Sequence, residues 1–266
     1  MKYIHDELQH NLKDPEIIIP KILNLFNPRS VVDVGCGVGN FLYVCKSHGV
    51  KKVLGVDGSW ARTDLLNRYL GENEFLEFDL EQPLNLNEYY DLVISLEVAE
   101  HLSPDSAKIH VKNLVNAGKI ILFSAAVPFQ PGQNHINEQW LSYWVNLFET
   151  ENYVLHNVLR PLFWESSCQT CYKQNMVIFA PKGYAFQKKI EQSLLTDVVH
   201  KELYDLKVRQ LEDINRKYKN LLNGHVSLVT IIKMIFKRIL GIGGWNTLKK
   251  NINHNHNDSS NQKLIN

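Results

Sequence analysis

Residues 31–39 read Val31-Val32-Asp33-Val34-Gly35-Cys36-Gly37-Val38-Gly39, an apolar run that breaks into three alternate glycines. Glycine has no Cβ and tolerates positive φ, so a strand that ends this way lets its backbone come close to a ligand. The helix expected next, over residues 39–48, turns its amide-rich N-terminus to the same place, which suits a nucleotide-like group. The spacing narrows the choice. The dinucleotide fingerprint is Gly-x-Gly-x-x-Gly. Here the third glycine comes one residue early, and Asn40 stands where Gly or Ala is expected. A nicotinamide-dependent oxidoreductase is therefore disfavoured.

Outward from that run, strand-like and helix-like stretches alternate, the pattern of a doubly wound parallel sheet. Strands are expected at 30–35, 52–57, 74–78, 91–96, 118–125, 153–159 and 172–180. Helices are expected at 39–48, 60–70, 104–117 and 138–151, with a helical leader over 1–28 that Pro15, Pro20 and Pro28 punctuate. Runs such as Leu92-Val93-Ile94 and Ile120-Ile121-Leu122-Phe123 are apolar at every position, as strands covered on both faces must be. After Pro181 the pattern changes. From 184 to 222 apolar side chains fall at helical intervals, and Asn223-Gly224 is a stop signal. A second amphipathic run covers 226–240, and the Asn- and His-rich tail from 251 has the composition of a disordered segment. The domains expected are a leader (1–28), a catalytic domain (29–181), a helical appendage (182–250) and a polar tail (251–266).

A chain of 266 residues, 44% hydrophobic and 21% charged, is an ordinary globular protein. Its net charge of +1 hides an asymmetry. Lys and Arg number 14 against 21 Asp and Glu over residues 1–181, a net of −7, and 15 against 7 over residues 182–266, a net of +8. The first part is a poor nucleic-acid platform, so no nucleic-acid partner is expected. Four cysteines in a chain this long do not suggest a disulfide framework. The first residues carry no apolar signal region, so the expected location is the cytoplasm.

The glycine run resembles the first motif of class I S-adenosylmethionine (SAM)-dependent methyltransferases, typically Asp-x-Gly-x-Gly-x-Gly, and the likeness continues downstream. It implies a Rossmann-like α/β fold with seven mostly parallel strands, the last of them antiparallel. SAM is the implied cofactor. Asp33 and the loop Gly35, Cys36, Gly37 and Gly39 would hold its methionine end. Asp57, closing Val53-Leu54-Gly55-Val56-Asp57, would take the ribose hydroxyls with Gly58 beside it. Asp79 would face the adenine amine, with Leu80 as a wall and Leu96 at the end of the fourth strand.

The stretch Tyr90-Asp91-Leu92-Val93-Ile94-Ser95-Leu96-Glu97-Val98-Ala99-Glu100-His101-Leu102 is similar to a segment of ubiquinone-type O-methyltransferases and their glycan-cluster relatives. The likeness puts its Ser95–Glu97 end under the transferring methyl. The loop Pro128-Phe129-Gln130-Pro131-Gly132-Gln133-Asn134-His135-Ile136-Asn137-Glu138-Gln139-Trp140 sits where such enzymes build the acceptor pocket. Its His-x-Asn-Glu-Gln-Trp ending, with Tyr143, Trp144, Phe148 and Trp164, resembles methyltransferases encoded among glycan-biosynthesis genes. The acceptor implied is a sugar or glycan hydroxyl; a quinone-like phenol or another small metabolite is the alternative, and a SAM-binding scaffold without catalysis a third reading.

A hydroxyl must lose its proton as it attacks, which is work for a neutral histidine. His135 is the first candidate, with Glu138 as its orienter, and His101 the second. His135 has the alternative of merely fixing its loop, His101 of capping the next helix, and the aromatics of core packing. Glu97, Glu100, His135 and Glu138 are all possible metal ligands, yet no tight ligand spacing joins them in the chain, so no metal is expected. For residues 184–240 two partners stay open: a membrane surface, which would place the enzyme at the inner face of the membrane beside a lipid-linked glycan, or packing and self-association.

Overall fold

The computed structural model describes residues 11–61, 64–186 and 196–223. The chain divides into two compact units, Met1–Tyr204 and Asp205–Asn266. The first holds a seven-stranded sheet in the order β3-β2-β1-β4-β5-β7-β6, with β1 Ser30–Val34, β2 Lys52–Asp57, β3 Phe75–Glu77, β4 Tyr90–Leu96, β5 Gly118–Ser124, β6 Tyr153–His156 and β7 Val177–Pro181. Pairing is parallel from β3 through β5; β7 runs antiparallel to both β5 and β6. This is the Rossmann-like methyltransferase architecture expected above.

The continuous apolar runs are explained by two cores, one on each face. Successive side chains of a strand point to opposite faces. Accordingly Val32, Val93, Ile121, Phe123 and Phe179 join one core, and Val31, Leu92, Ile94, Ile120, Leu122 and Ile178 the other. Helices α4 (Ala107–Ala117) and α5 (Leu141–Thr150) supply Val111, Leu114, Trp144 and Phe148 to the first. Helices α1 (Lys13–Phe26) and α2 (Asn40–Ser47) supply Ile18, Ile19, Ile22, Phe41 and Leu42 to the second. The short α3 (Asp64–Tyr69) adds Leu66 there. Helix α1 carries Pro20 in its interior and ends at Asn27, whose left-handed φ of 46° lets its N–H cap Leu23 O.

Two boundaries differ from the sequence expectation for physical reasons. The strand expected over 172–180 begins only at Val177, because residues before it form α7 (Thr170–Asn175), preceded by another single-turn helix, α6 (Arg160–Phe163). Lys173, Gln174 and Asn175 are buried polar side chains with long-range partners. A helical turn aims these three successive side chains in three directions, at Glu202, His200 and Glu97, which the two-fold alternation of a strand would not. Strand β6 likewise ends at His156, not 159, since Pro161 opens α6.

The helix expected from 184 starts at Lys201, as α8 (Lys201–Leu222). Tyr184 and Phe186 instead pack back on the first unit, Phe186 against Phe26 and His156. The stretch before α8 is tied down as well. Arg160 Nη1 donates to Thr196 O, Ser142 N to Asp197 Oδ1, and His200 N to Gln174 Oε1 at 2.6 Å. The run at 226–240 and the tail from 251 lie outside the described residues.

Candidate active site

In an open α/β sheet the ligand crevice opens at the carboxyl ends of the strands, where the strand order reverses. Here that point lies between β1 and β4, the two strands that continue into the glycine loop and the Glu97–Leu102 segment. Gly35, Gly37 and Gly39 all have positive φ, of 92°, 53° and 80°. Gly35 has a second reason to be glycine, since a Cβ there would lie 2.3 Å from a Val98 methyl. The loop is pinned by Gly35 N to Val56 O, at 2.7 Å.

Asp57 closes β2 and accepts the amides of Gly37 and Gly58, each at 2.7 Å. Burial raises its pKa, and those two amides with the Trp60 indole pull it back. Asp33 is buried too, and burial followed by the charge of Asp57 pushes its carboxyl well up. Two buried carboxylates destabilise each other until a positive ligand arrives. An amino group and a sulfonium satisfy that requirement, so the pair fits the charge of SAM.

The other donor-side candidates divide by what they present. Cys36 turns inward, its Sγ under Gly55, where an added Cβ would sit 2.7 Å away. Gly58 lies beneath the Trp60 ring, which sequence reasoning missed. Asp79 is exposed, its Oδ1 accepting Glu81 N at 3.1 Å. Leu80 is a core side chain and Leu96 packs on the opposite core. Ser95, expected under the methyl, is instead fully buried, with Oγ 3.2 Å from His110 Nε2.

The acceptor side is built from two crossing segments. After β4, Glu97 takes φ 55°, a left-handed conformation that costs a non-glycine residue about 1 kcal/mol or more. Its N–H is held by both Ser124 O and Ser124 Oγ. Its carboxylate accepts Gln130 Nε2 at 2.5 Å and Asn175 Nδ2 at 3.1 Å. Next come Ala99–His101, one turn of 3-10 helix. Crossing over them is the loop after β5, strapped down by Ile136 N and Asn137 N to Glu100 O at 2.9 and 3.0 Å.

This strap brings three of the expected side chains together. The His101 and His135 rings meet edge-to-face with centroids 5.1 Å apart. His135 Nδ1 is 2.9 Å from Glu138 Oε1, and Glu138 Oε2 accepts Phe129 N at 2.6 Å. Gly132 lies against the far edge of the ring: a Cβ there would be 1.9 Å from His135 Nε2. Burial, then His135, lowers the His101 pKa to about 4. Glu100 is wholly buried, and burial with the adjacent Glu97 pushes its carboxyl well up.

The aromatics fall on both sides of the alternatives stated above. Trp144 and Phe148 are core, Phe148 stacking on Phe179 at 3.8 Å. Trp164 packs on His200 at 4.4 Å. Phe129 and Trp140 remain exposed on the acceptor loop, joined by Ile136.

A family model described as a methyltransferase domain matches residues 7–159. The chain is similar to the tRNA U34 carboxymethyltransferase of Pseudomonas fluorescens, 35% identical over 40% of this chain and 35% of that one. It is also similar to the mitochondrial ubiquinone biosynthesis O-methyltransferase of Dictyostelium discoideum, 31% identical over 54% of this chain and 46% of that one. The chain thus spans about a third to a half of the curated relatives it matches. Among solved structures, an O-methyltransferase family protein from Burkholderia thailandensis superposes with a TM-score of 0.48 at 14% identity, over 64% of this chain and 56% of that one.

Proposed function

The chain belongs to the methyltransferase-domain family, a SAM-dependent methyltransferase by fold and donor loop, and we propose that it methylates a hydroxyl of a sugar or glycan precursor. The observation that carries this is the cluster of Glu100, His101, His135 and Glu138 at the carboxyl edge of β4. The bound cofactor supplies a methyl already activated on a sulfonium sulfur, so most of the catalysis is positioning. What remains is the acceptor's proton. A hydroxyl has to shed one as its oxygen attacks, and an imidazole oriented by a carboxylate is suited to that. His135, held through Nδ1 by Glu138, is the residue on which proton removal depends.

The chain's own residues divide the work. Gly35, Gly37 and Gly39 give backbone access to the methionine end. Asp33 and Asp57 neutralise the cofactor's positive charge, and Asp57 takes the ribose. The strap over Glu100 holds His135 and Glu138 against His101. Phe129, Ile136 and Trp140, exposed on the same loop, offer apolar planes to the C–H face of a sugar ring. The net charge of −7 over residues 1–181 disfavours a polyanion such as tRNA, the substrate in the name of one relative.

The test is a competition. The full chain is given methyl-labelled SAM with nucleotide sugars, a phenolic quinone precursor and tRNA, and products are read by mass spectrometry. Label on a sugar hydroxyl is the expected result; preferential label on the phenol or tRNA overturns the sugar reading. No S-adenosylhomocysteine from a chain that binds SAM would leave the scaffold reading. His135→Ala should cut turnover strongly with SAM affinity nearly intact, and equal loss of both refutes its role.

A further inference from the structure

Glu100-His101 and His135 are far apart along the chain, so spacing alone predicts no metal. The fold removes that distance. Ligand atoms of Glu100, His101 and His135 all lie within 4.8 Å of one another. We propose that these three side chains bind a divalent first-row cation, of the Zn²⁺ or Mn²⁺ type, at the acceptor side of the site.

Three observations point to a ligand. Glu100 is 0% exposed, and neither of its carboxyl oxygens has a hydrogen-bond partner in good geometry among the described residues, its near polar neighbours being the Ala126 amide and the Glu97 carboxyl. A carboxyl so placed is expensive unless something else satisfies it. Second, Glu138 holds His135 by Nδ1 while being anchored itself by Phe129 N. Metal-bound histidines nearly always have this arrangement, a carboxylate on one ring nitrogen fixing the tautomer so that the other nitrogen offers its lone pair. Third, the donor set is chemically selective. Two imidazoles and one carboxylate suit Zn²⁺, Mn²⁺ and Co²⁺, whereas Mg²⁺ and Ca²⁺ favour all-oxygen sets.

Ligand atoms around such an ion, each about 2.1 Å from it, stand roughly 3–4 Å apart, so loading requires only a small contraction of the cluster. Gly132 is what accommodates the ring at all, since a Cβ there would lie 1.9 Å from His135 Nε2.

Three protein ligands leave coordination positions open, as in catalytic rather than structural sites. The role of the cation rests on the hydroxyl-methylation reading, although its binding does not. An acceptor hydroxyl bound at an open position becomes more acidic. Its O–H bond would break, the proton passing to a carboxylate of the site, for which Glu97, oriented by Gln130 and Asn175, is available. Its oxygen forms the bond to the methyl carbon while the carbon–sulfur bond breaks, the electron pair staying on sulfur. His135 and His101 then act as ligands, so that with the cation bound His135 serves proton removal through the ion and not as the base itself, and Glu138 is a positioning residue.

The probe is Co²⁺, whose visible absorption reports imidazole and carboxylate coordination. It is titrated into the chelator-treated full chain carrying His254→Asn and His256→Asn, which removes the tail histidines as competitors. One Co²⁺ per chain is expected, displaced by Zn²⁺. Glu100→Gln and His101→Asn should each weaken binding by about 100-fold or more, and Glu138→Gln by about 10–100-fold. Circular dichroism checks folding; if Glu100→Gln does not fold, His101→Asn and Glu138→Gln decide. A folded chain that takes up no Co²⁺, or the same affinity in the folded variants, overturns the proposal. Neither SAM nor acceptor is present, so an error about the acceptor leaves the titration intact. Conversely, a failed titration beside a normal SAM-induced thermal shift leaves the methyltransferase reading standing.

Discussion

His110 makes the stability of the first unit depend on pH in a way that can be isolated. It lies on α4, fully buried, with Nε2 3.2 Å from Ser95 Oγ. Burial lowers its pKa from 6.5 to about 4. Its folded pKa is therefore below the unfolded one, and the unfolded chain takes up the proton first. Its contribution is intact above about pH 6.5 and is lost as pH falls towards 4. At 1.36 kcal/mol per pKa unit the full loss is about 3 kcal/mol, of which about 2 kcal/mol is gone by pH 5. Asp33 and Asp57 have raised pKa values and act in the opposite direction, gaining stability as pH falls. Total stability thus mixes both signs, and a difference is needed. Urea unfolding of the parent and of His110→Gln, at pH 7 and pH 5, provides it. The parent should lose about 2 kcal/mol more than the variant over that interval. Parallel pH dependences in the two proteins would refute the argument.

Gly35→Ala combines a left-handed φ, costing about 1–2 kcal/mol, with a Cβ driven into Val98, about 1–3 kcal/mol more. A thermal melt should fall by ~5–15 °C, with SAM binding lost in calorimetry. Asp57→Asn keeps the shape but sets an amide group against either Gly37 N or Gly58 N. SAM affinity should fall about 10–100-fold, and an unchanged Kd would remove Asp57 from the cofactor site. On α8, Leu211, Ile214, Tyr218 and Leu221 are exposed at intervals of three, four and three residues, the seam of a helix pair. The chain should run as a dimer in light scattering, and Leu211→Glu with Ile214→Glu should make it a monomer; a monomeric parent would sink the idea.

The candidate donor half of the site is legible in the sequence because the residues that build it are close along the chain. Asp33 to Gly39 is one stretch, and Asp57 is found at the end of the next strand by counting apolar residues. The polar side chains behind the acceptor are different. Glu97 meets Gln130 across 33 residues and Asn175 across 78, and no periodicity in a chain records such a meeting. The error at 172–180 has the same origin. Tyr172 and Cys171 resemble the start of a strand, yet Lys173, Gln174 and Asn175 reach Glu202, His200 and Glu97 in three directions, which takes a helical turn. Ser95 was misplaced by one step of alternation: its neighbours Ile94 and Leu96 belong to one core, which sends Ser95 to His110 on the other face.

This difference in construction has a consequence for how the enzyme tolerates change. In the proposed reading the cofactor is met largely by backbone, through the glycine loop, so most side-chain substitutions elsewhere should leave it alone. In the proposed reading the acceptor is met by side chains, and Glu97, Gln130 and Asn175 lock three separate segments through hydrogen bonds that share partners, with Asn175 Nδ2 also 2.8 Å from Gln130 Oε1. Removing one member strands the others in a buried place, which costs more than the bond itself. Glu97→Gln and Asn175→Ala should therefore be strongly non-additive, the double variant losing little more activity than either single one. Additive losses would mean that the three residues act separately on the acceptor loop. In both cases the thermal shift with SAM should stay near that of the parent, because nothing in the triad touches the glycine loop through a hydrogen bond.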